Sequence, residues 1–224
     1  MHILTAETRT HYLEKYPIHD FFSFDINPYL EVCEFDKGEW IFQEGSFPET
    51  LYYMIEGKAK LYMTHKNGKV SLIEYLEAPR FMGEIELLNE ARYTKGIQTV
   101  SKTICYSITQ SCKEKLLADA LFLRRLCVFL GEKATKITSK YTQNQAYPFE
   151  SRLAAFIQLS ADQGVYKEKH TEICEYLGVS YRHLLYVLAQ FCEEKILEKR
   201  KTGYHIIDEK RLAQLAQEIQ LLGN

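Results

Sequence analysis

Apolar and polar residues alternate with a period near two through the first half of the chain, and near three to four through the second. From about residue 35 to 107, short runs rich in Tyr, Phe, Ile, Leu and Val are punctuated by glycine or proline at near-regular intervals. This pattern predicts a series of short strands. Trp40-Ile41-Phe42 runs into a turn at Glu44-Gly45, and Leu51-Tyr52-Tyr53-Met54-Ile55 into one at Glu56-Gly57. Runs at 58–64 and 69–76 flank Asn67-Gly68, a dipeptide that readily supplies the left-handed residues of a tight hairpin. Runs at 97–100 and 103–108 continue the series. Strands this short and numerous imply an antiparallel β-roll or barrel with an interior cavity. Within it, Gly83-Glu84-Ile85-Glu86-Leu87-Leu88 reads as one helical turn opened by a glycine, whose free N–H groups suit an anion.

A long helix is predicted from about residue 111 to 142. Leu116, Leu123, Leu126, Leu130, Ile137 and Tyr141 recur at spacings of seven, three, four, seven and four, close to an a/d seam with a gap at Lys133-Ala134. Such a stripe can pair with a second copy as a parallel coiled coil, giving a symmetric dimer, or cover the strands of its own chain. It is wide enough for both. Asn144-Gln145-Ala146-Tyr147-Pro148 ends the helix, because the residue before a proline avoids the α region, and marks a boundary and hinge. The organisation expected is α+β. A β-roll with an N-terminal extension spans 1–110, a dimerisation helix 111–145, and a second domain, opened by an amphipathic helix at 151–159, spans 146–224.

That second domain carries the most specific pattern. Thr171 is placed to cap a short helix with Ile173 and Leu177 on one face. Gly178 stands where a helix end wants a left-handed residue, and Val179 is apolar in the turn. Ser180 can cap a second helix whose buried stripe is Leu184, Leu188 and Phe191, leaving Tyr181, Arg182, His183 and Tyr186 outward near its start. This is a helix-turn-helix presenting a recognition helix to a DNA major groove. The run Glu198-Lys199-Arg200-Lys201-Thr202-Gly203-Tyr204-His205-Ile206 reads as two strands about a basic turn, the wing of a winged helix.

Composition narrows the picture modestly. The chain has 224 residues, 46% hydrophobic and 26% charged, with a net charge of −2, so the cations that meet DNA must be clustered locally. No apolar run is long enough for a membrane helix and the N-terminus shows no signal-peptide core, which gives a cytoplasmic expectation. Six cysteines, at 33, 105, 112, 127, 174 and 192, form no CxxC pair and sit beside no zinc-spaced histidines. They read as reduced, half-buried thiols, with Cys105 and Cys112 a conceivable redox pair. A cupin-type enzyme would need partners that His65 lacks, and no Ser-His-Asp set, P-loop or dinucleotide motif is present, so no catalytic or metal site is expected.

β-roll, long helix and winged helix in this order resemble the CRP/FNR family of bacterial transcription regulators. The likeness is carried by Gly38, Gly45 and Gly57 in the turns of the roll, by Gly83-Glu84, and by Leu177-Gly178-Val179-Ser180. The stretches 168–171 and 176–192 look like the YeiL-type regulators. The resemblance implies a homodimer on a near-palindromic promoter site in double-stranded DNA, with half-sites about 34 Å apart, and RNA polymerase as a further partner. Lys169, His170, Thr171, Ser180, Lys199 and Arg200 would lie near phosphates. Arg182 is the candidate for a guanine contact, with Tyr181, His183 and Tyr186 beside it. The effector-pocket candidates are Gly83, Glu84, Arg92, Lys95, Gly96 and Arg124. Members that bind cyclic AMP place an Arg-Ser pair on the cyclic phosphate, and here the matching positions are Lys95 and Gly96. Lysine lacks the bidentate fork and glycine lacks the hydroxyl. The effector is therefore unidentified; a ligand-independent roll serving as a dimerisation scaffold and a cyclic-nucleotide-responsive roll are the alternatives. The recognition helix also departs from the common Arg-Glu pattern, which implies a different operator.

Overall fold

The computed structural model describes residues 1–89 and 94–220, in two compact units spanning 1–130 and 131–224. In the first, the six predicted strands and three that the sequence reading did not foresee form two antiparallel sheets. β1 (His2–Ile3), β2 (Leu30–Phe35), β4 (Thr50–Glu56), β7 (Arg80–Met82) and β9 (Thr103–Thr109) make one, in the order β1-β2-β9-β4-β7. β3 (Trp40–Phe42), β5 (Lys58–Thr64), β6 (Val70–Glu77) and β8 (Gly96–Thr99) make the other, in the order β3-β8-β5-β6. The Asn67-Gly68 turn joins β5 to β6 as the sequence predicts.

Alternation sorts the side chains onto two cores. Tyr52, Met54 and Cys105 point into the roll with Phe35, Phe42, Ala59, Leu76, Met82 and Ile97, which fill the interior expected to hold a cavity. Leu51, Ile55, Ile104, Tyr106 and Ile108 take the opposite face of the five-stranded sheet. The N-terminal residues, without a role on sequence grounds, cover that face. α1 (Ala6–Lys15) ends where the Tyr106 hydroxyl, shared between the Tyr12 and Tyr16 carbonyls, donates at 2.7 and 2.8 Å. Ile18, Phe22 and Ile26 then pack into the same core.

The single helix predicted over 111–142 is broken. α3 (Lys113–Ala118) stops at Asp119, whose carboxylate accepts from the Ser23 N–H at 2.8 Å and the Leu121 N–H at 2.9 Å, and α4 (Ala120–Ala146) begins there. The break corrects the seam. Leu116, on α3, and Leu126 are each 1% exposed in the core of their own roll, so neither is available to a second copy. Cys105 faces Cys33 across β2 and β9, while Cys112 lies in the other core, so the pairing of Cys105 with Cys112 does not hold. Burial pushes the Cys33 thiol up to about 12 and raises Cys105 as well, which suits inert, protonated sulfurs.

In the second unit, α5 (Phe149–Ser160) packs on α8 (Glu209–Gln220), a helix the sequence reading did not foresee. α6 (His170–Leu177) and α7 (Tyr181–Glu193) form the helix-turn-helix. β10 (Val165–Tyr166), β12 (Gly203–Ile206) and β11 (Leu197–Arg200) make a three-stranded antiparallel sheet carrying the wing. Among the described residues no helix is long and apolar enough to cross a membrane.

Candidate nucleic-acid interface

The turn between α6 and α7 is built by local chemistry. Gly178 adopts φ +62°, and the N–H groups of Gly178 and Val179 return to carbonyls of the last turn of α6, a glycine-terminated helix end. Val179, the apolar residue of the turn, is half-buried. Ser180 caps α7 as predicted, its hydroxyl accepting the His183 N–H at 3.2 Å. Leu184, Val187, Leu188 and Phe191 form the buried face. Thr171 does not cap α6. The helix starts two residues earlier, with Lys169 at the cap and no side-chain cap bond. Ring packing sets this start instead: the His170 imidazole lies 6.0 Å from both the Tyr181 and the Tyr204 rings, tying α6 to the start of α7 and to the wing.

The predicted DNA residues fall on this one unit but differ in freedom. Tyr181, Arg182 and Tyr186 are exposed, Tyr186 at 67%. His183 is exposed but leans on Phe149, with ring centroids 4.9 Å apart. Lys169 reaches Glu172 at 3.5 Å with its own side chain largely in solvent. On the wing, Arg200 is ion-paired to Glu198, which offsets part of its charge, and Lys199 lies over the Tyr204 ring. Burial, and then the charge of Lys199, hold the His170 imidazole below its ordinary range. One supporting residue was missed on sequence grounds. Arg152 of α5 donates to the Leu177 carbonyl at 2.5 Å and the Tyr147 carbonyl at 3.3 Å, and lies over the Phe149 ring. It pins the end of α6 to the start of α5. An arginine breaking the apolar face of the 151–159 helix was the available signal.

The effector-pocket candidates differ in setting. Glu84 is buried at the start of α2 (Glu84–Leu88), Lys95 and Arg124 are exposed, and Arg92 lies outside the described residues. Gly83 has φ +88°, and a Cβ there would stand 3.0 Å from the Thr50 carbonyl oxygen and 3.1 Å from the Phe42 ring. Gly96 lies under Trp40, whose ring carbon would be 2.9 Å from an added Cβ. A serine at this position therefore cannot present a hydroxyl to a phosphate without displacing the indole. The charged feature of the roll lies elsewhere: Glu74 and Arg80 pair at 2.9 Å with side chains 18% and 10% exposed, and Arg80 lies over Phe129 of α4. The cyclic phosphate grip is not reproduced by these residues.

Comparison with known proteins agrees with this architecture. Residues 32–120 match the cyclic nucleotide-binding domain family, and residues 151–215 match the Crp-like helix-turn-helix domain. The chain is 45% identical over 201 residues to the regulatory protein YeiL of Escherichia coli O157:H7, across 89% of this chain and 92% of that protein. It is 21% identical over 198 residues to a CRP-like cAMP-activated global transcriptional regulator of Mycobacterium tuberculosis, covering 84% and 88%. The fold is shared with a solved regulator of the CRP/FNR family from Eubacterium rectale, at a TM-score of 0.71, 17% identity and coverage of 86% and 92%. A CRP-family regulator from Thermus thermophilus gives 0.66 at 17% identity, over 83% and 96%. On the full-length similarity to YeiL, the chain belongs to the CRP/FNR family of transcription regulators and, within it, to the YeiL type.

Proposed function

We propose that the protein acts in the cytoplasm as a homodimer that reads a near-palindromic promoter site in double-stranded DNA. The observation that carries this reading is α7 itself: capped by Ser180, closed below by Gly178, and exposing Tyr181, Arg182 and Tyr186 beside a wing bearing Lys199, Arg200 and Lys201. Helix-start N–H groups with Ser180, Lys169 and Lys199 serve phosphates, and Arg182 reads guanine O6 and N7. RNA polymerase is the further partner expected of such a regulator.

The dimer is assigned to α4. With Leu116 and Leu126 turned into the roll, the remaining stripe is Leu123, Cys127, Leu130, Ala134, Ile137 and Tyr141, an unbroken four-three alternation in which Cys127 and Ala134 fill the earlier gap. Tyr141 lies in α4, and its side chain is outside the described ones. Cys127, Ala134 and Ile137 are exposed, while Leu123 and Leu130 are half-buried beside the roll. We infer functional segments of 1–110, 111–145 and 146–224, whereas the compact units divide at 130/131. For the roll, Trp40 over Gly96 and the internal Glu74–Arg80 pair favour a scaffold or a receptor for a signal other than a cyclic nucleotide.

The test is Arg182→Ala against a panel of single base-pair changes. Discrimination at one base pair per half-site should fall by about 1–3 kcal/mol, with other positions unchanged. Uniform weakening across all sequences would make Arg182 a phosphate contact and overturn its role in base reading.

A further inference from the structure

The outward face of α7 is more apolar than a helix that reads DNA by hydrogen bonds alone. Opposite the buried Leu184, Val187, Leu188 and Phe191, residues at about 100° per step place Leu185 and Ala189 between Tyr181 and Tyr186. Leu185 is 39% exposed and Tyr181 51%, and Ala189 is exposed too. Arg182 is the only lysine or arginine in the helix. A leucine at a random surface position asks for no explanation. This one sits in the middle of the arc that faces the groove, continuous with the tyrosines and with Arg182. Ala189, a single methyl, lets the helix approach closely at that point.

We propose that Leu185, with Ala189 beside it, reads thymine methyl groups, so that each half-site carries thymine next to the base pair contacted by Arg182. The proposal rests on the DNA-reading role assigned to α7 above. In the major groove thymine alone presents a methyl group to an apolar side chain; the other bases present mainly hydrogen-bond donors and acceptors that Leu185 cannot satisfy. Placing Leu185 against a donor or acceptor would remove that group from water without a partner, which disfavours the other bases at the same step. The apolar contact thus attracts thymine and discriminates against the rest.

The test uses the full-length protein and a site selected from a random duplex pool. Each thymine of that site is replaced in turn by deoxyuridine, which removes only the methyl. The wild type should lose about fourfold in affinity at one or two thymines per half-site, the equivalent of one buried methyl-sized group. Leu185→Ala, which changes both protomers, should lose about the square of that factor on the unmodified site and nothing further on deoxyuridine at the same thymine. Binding of the selected site that is insensitive to every deoxyuridine substitution would overturn the proposal while leaving the DNA-reading role in place. A deoxyuridine penalty that persists undiminished in Leu185→Ala would remove Leu185 from the contact. Failure to enrich any duplex would remove the underlying reading and this proposal with it. The scan of the wild type needs no variant, so it stays decisive should Leu185→Ala fold poorly.

Discussion

Ile137→Ala isolates the dimer seam from the rest of the molecule. Ile137 is 54% exposed in the single chain and stands on the α4 stripe with Cys127 and Ala134. Fully burying such a side chain is worth roughly 1.5–3 kcal/mol, so covering the exposed half in both protomers contributes about 1.5–3 kcal/mol per dimer. Alanine is the best helix former, so α4 itself is not weakened by the change. The dimer dissociation constant should rise about ten- to hundredfold, at about 1.4 kcal/mol per decade. Sedimentation equilibrium over a dilution series measures this directly. Val128→Ala is the matched control: Val128 is 58% exposed but points away from the stripe, and its loss should leave the dimer unchanged. An unchanged dissociation constant for Ile137→Ala, or weakening by Val128→Ala alone, would refute the assignment and move the interface to another face of α4.

Three further outcomes are expected. Arg152→Met removes two charge-assisted hydrogen bonds to the Leu177 and Tyr147 carbonyls, so the second unit should lose about 2 kcal/mol and melt roughly 10 °C lower; a shift under about 2 °C would show that the turn is held by packing alone. The His170 pKa is lowered in the fold, so the unfolded chain takes up its proton first as pH falls below about 6.5. Stability of that unit should therefore decline from there toward the folded pKa, with a shallower decline in His170→Gln; identical slopes would contradict the half-buried, neutral imidazole. Cyclic AMP at millimolar concentration should leave the melting temperature unchanged, whereas a bound ligand at a hundred times its dissociation constant would add about 2.7 kcal/mol and a clear upward shift.

What was legible in the sequence was local. Asn67-Gly68, Gly178 and Ser180 announce a hairpin, a helix end and a helix start because the backbone conformations they favour are decided within a few residues. Periodicity gave the α7 core face but could not choose partners. One apolar stripe over 116–141 could not be divided by spacing, and only the fold shows that Leu116 and Leu126 belong to the roll. Contacts distant in sequence were also invisible: Asp119 breaks the long helix by capping it with help from Ser23. The surroundings of Gly96 were hidden for the same reason. Lys95 and Gly96 were placed by likeness, while Trp40, over fifty residues earlier, decides what Gly96 can do. Thr171 is not the cap because α6 already starts at His170, whose ring meets tyrosines from α7 and the wing.

The central claim is a dimeric reader of duplex DNA, and selection from a random duplex pool tests it most directly. Full-length protein should enrich an inverted repeat whose half-sites lie one helical turn, about 34 Å, apart. Enrichment of a single, non-repeated half-site would contradict the symmetric dimer, and no enrichment, with or without cell extract, would contradict the account of α7 as a recognition helix.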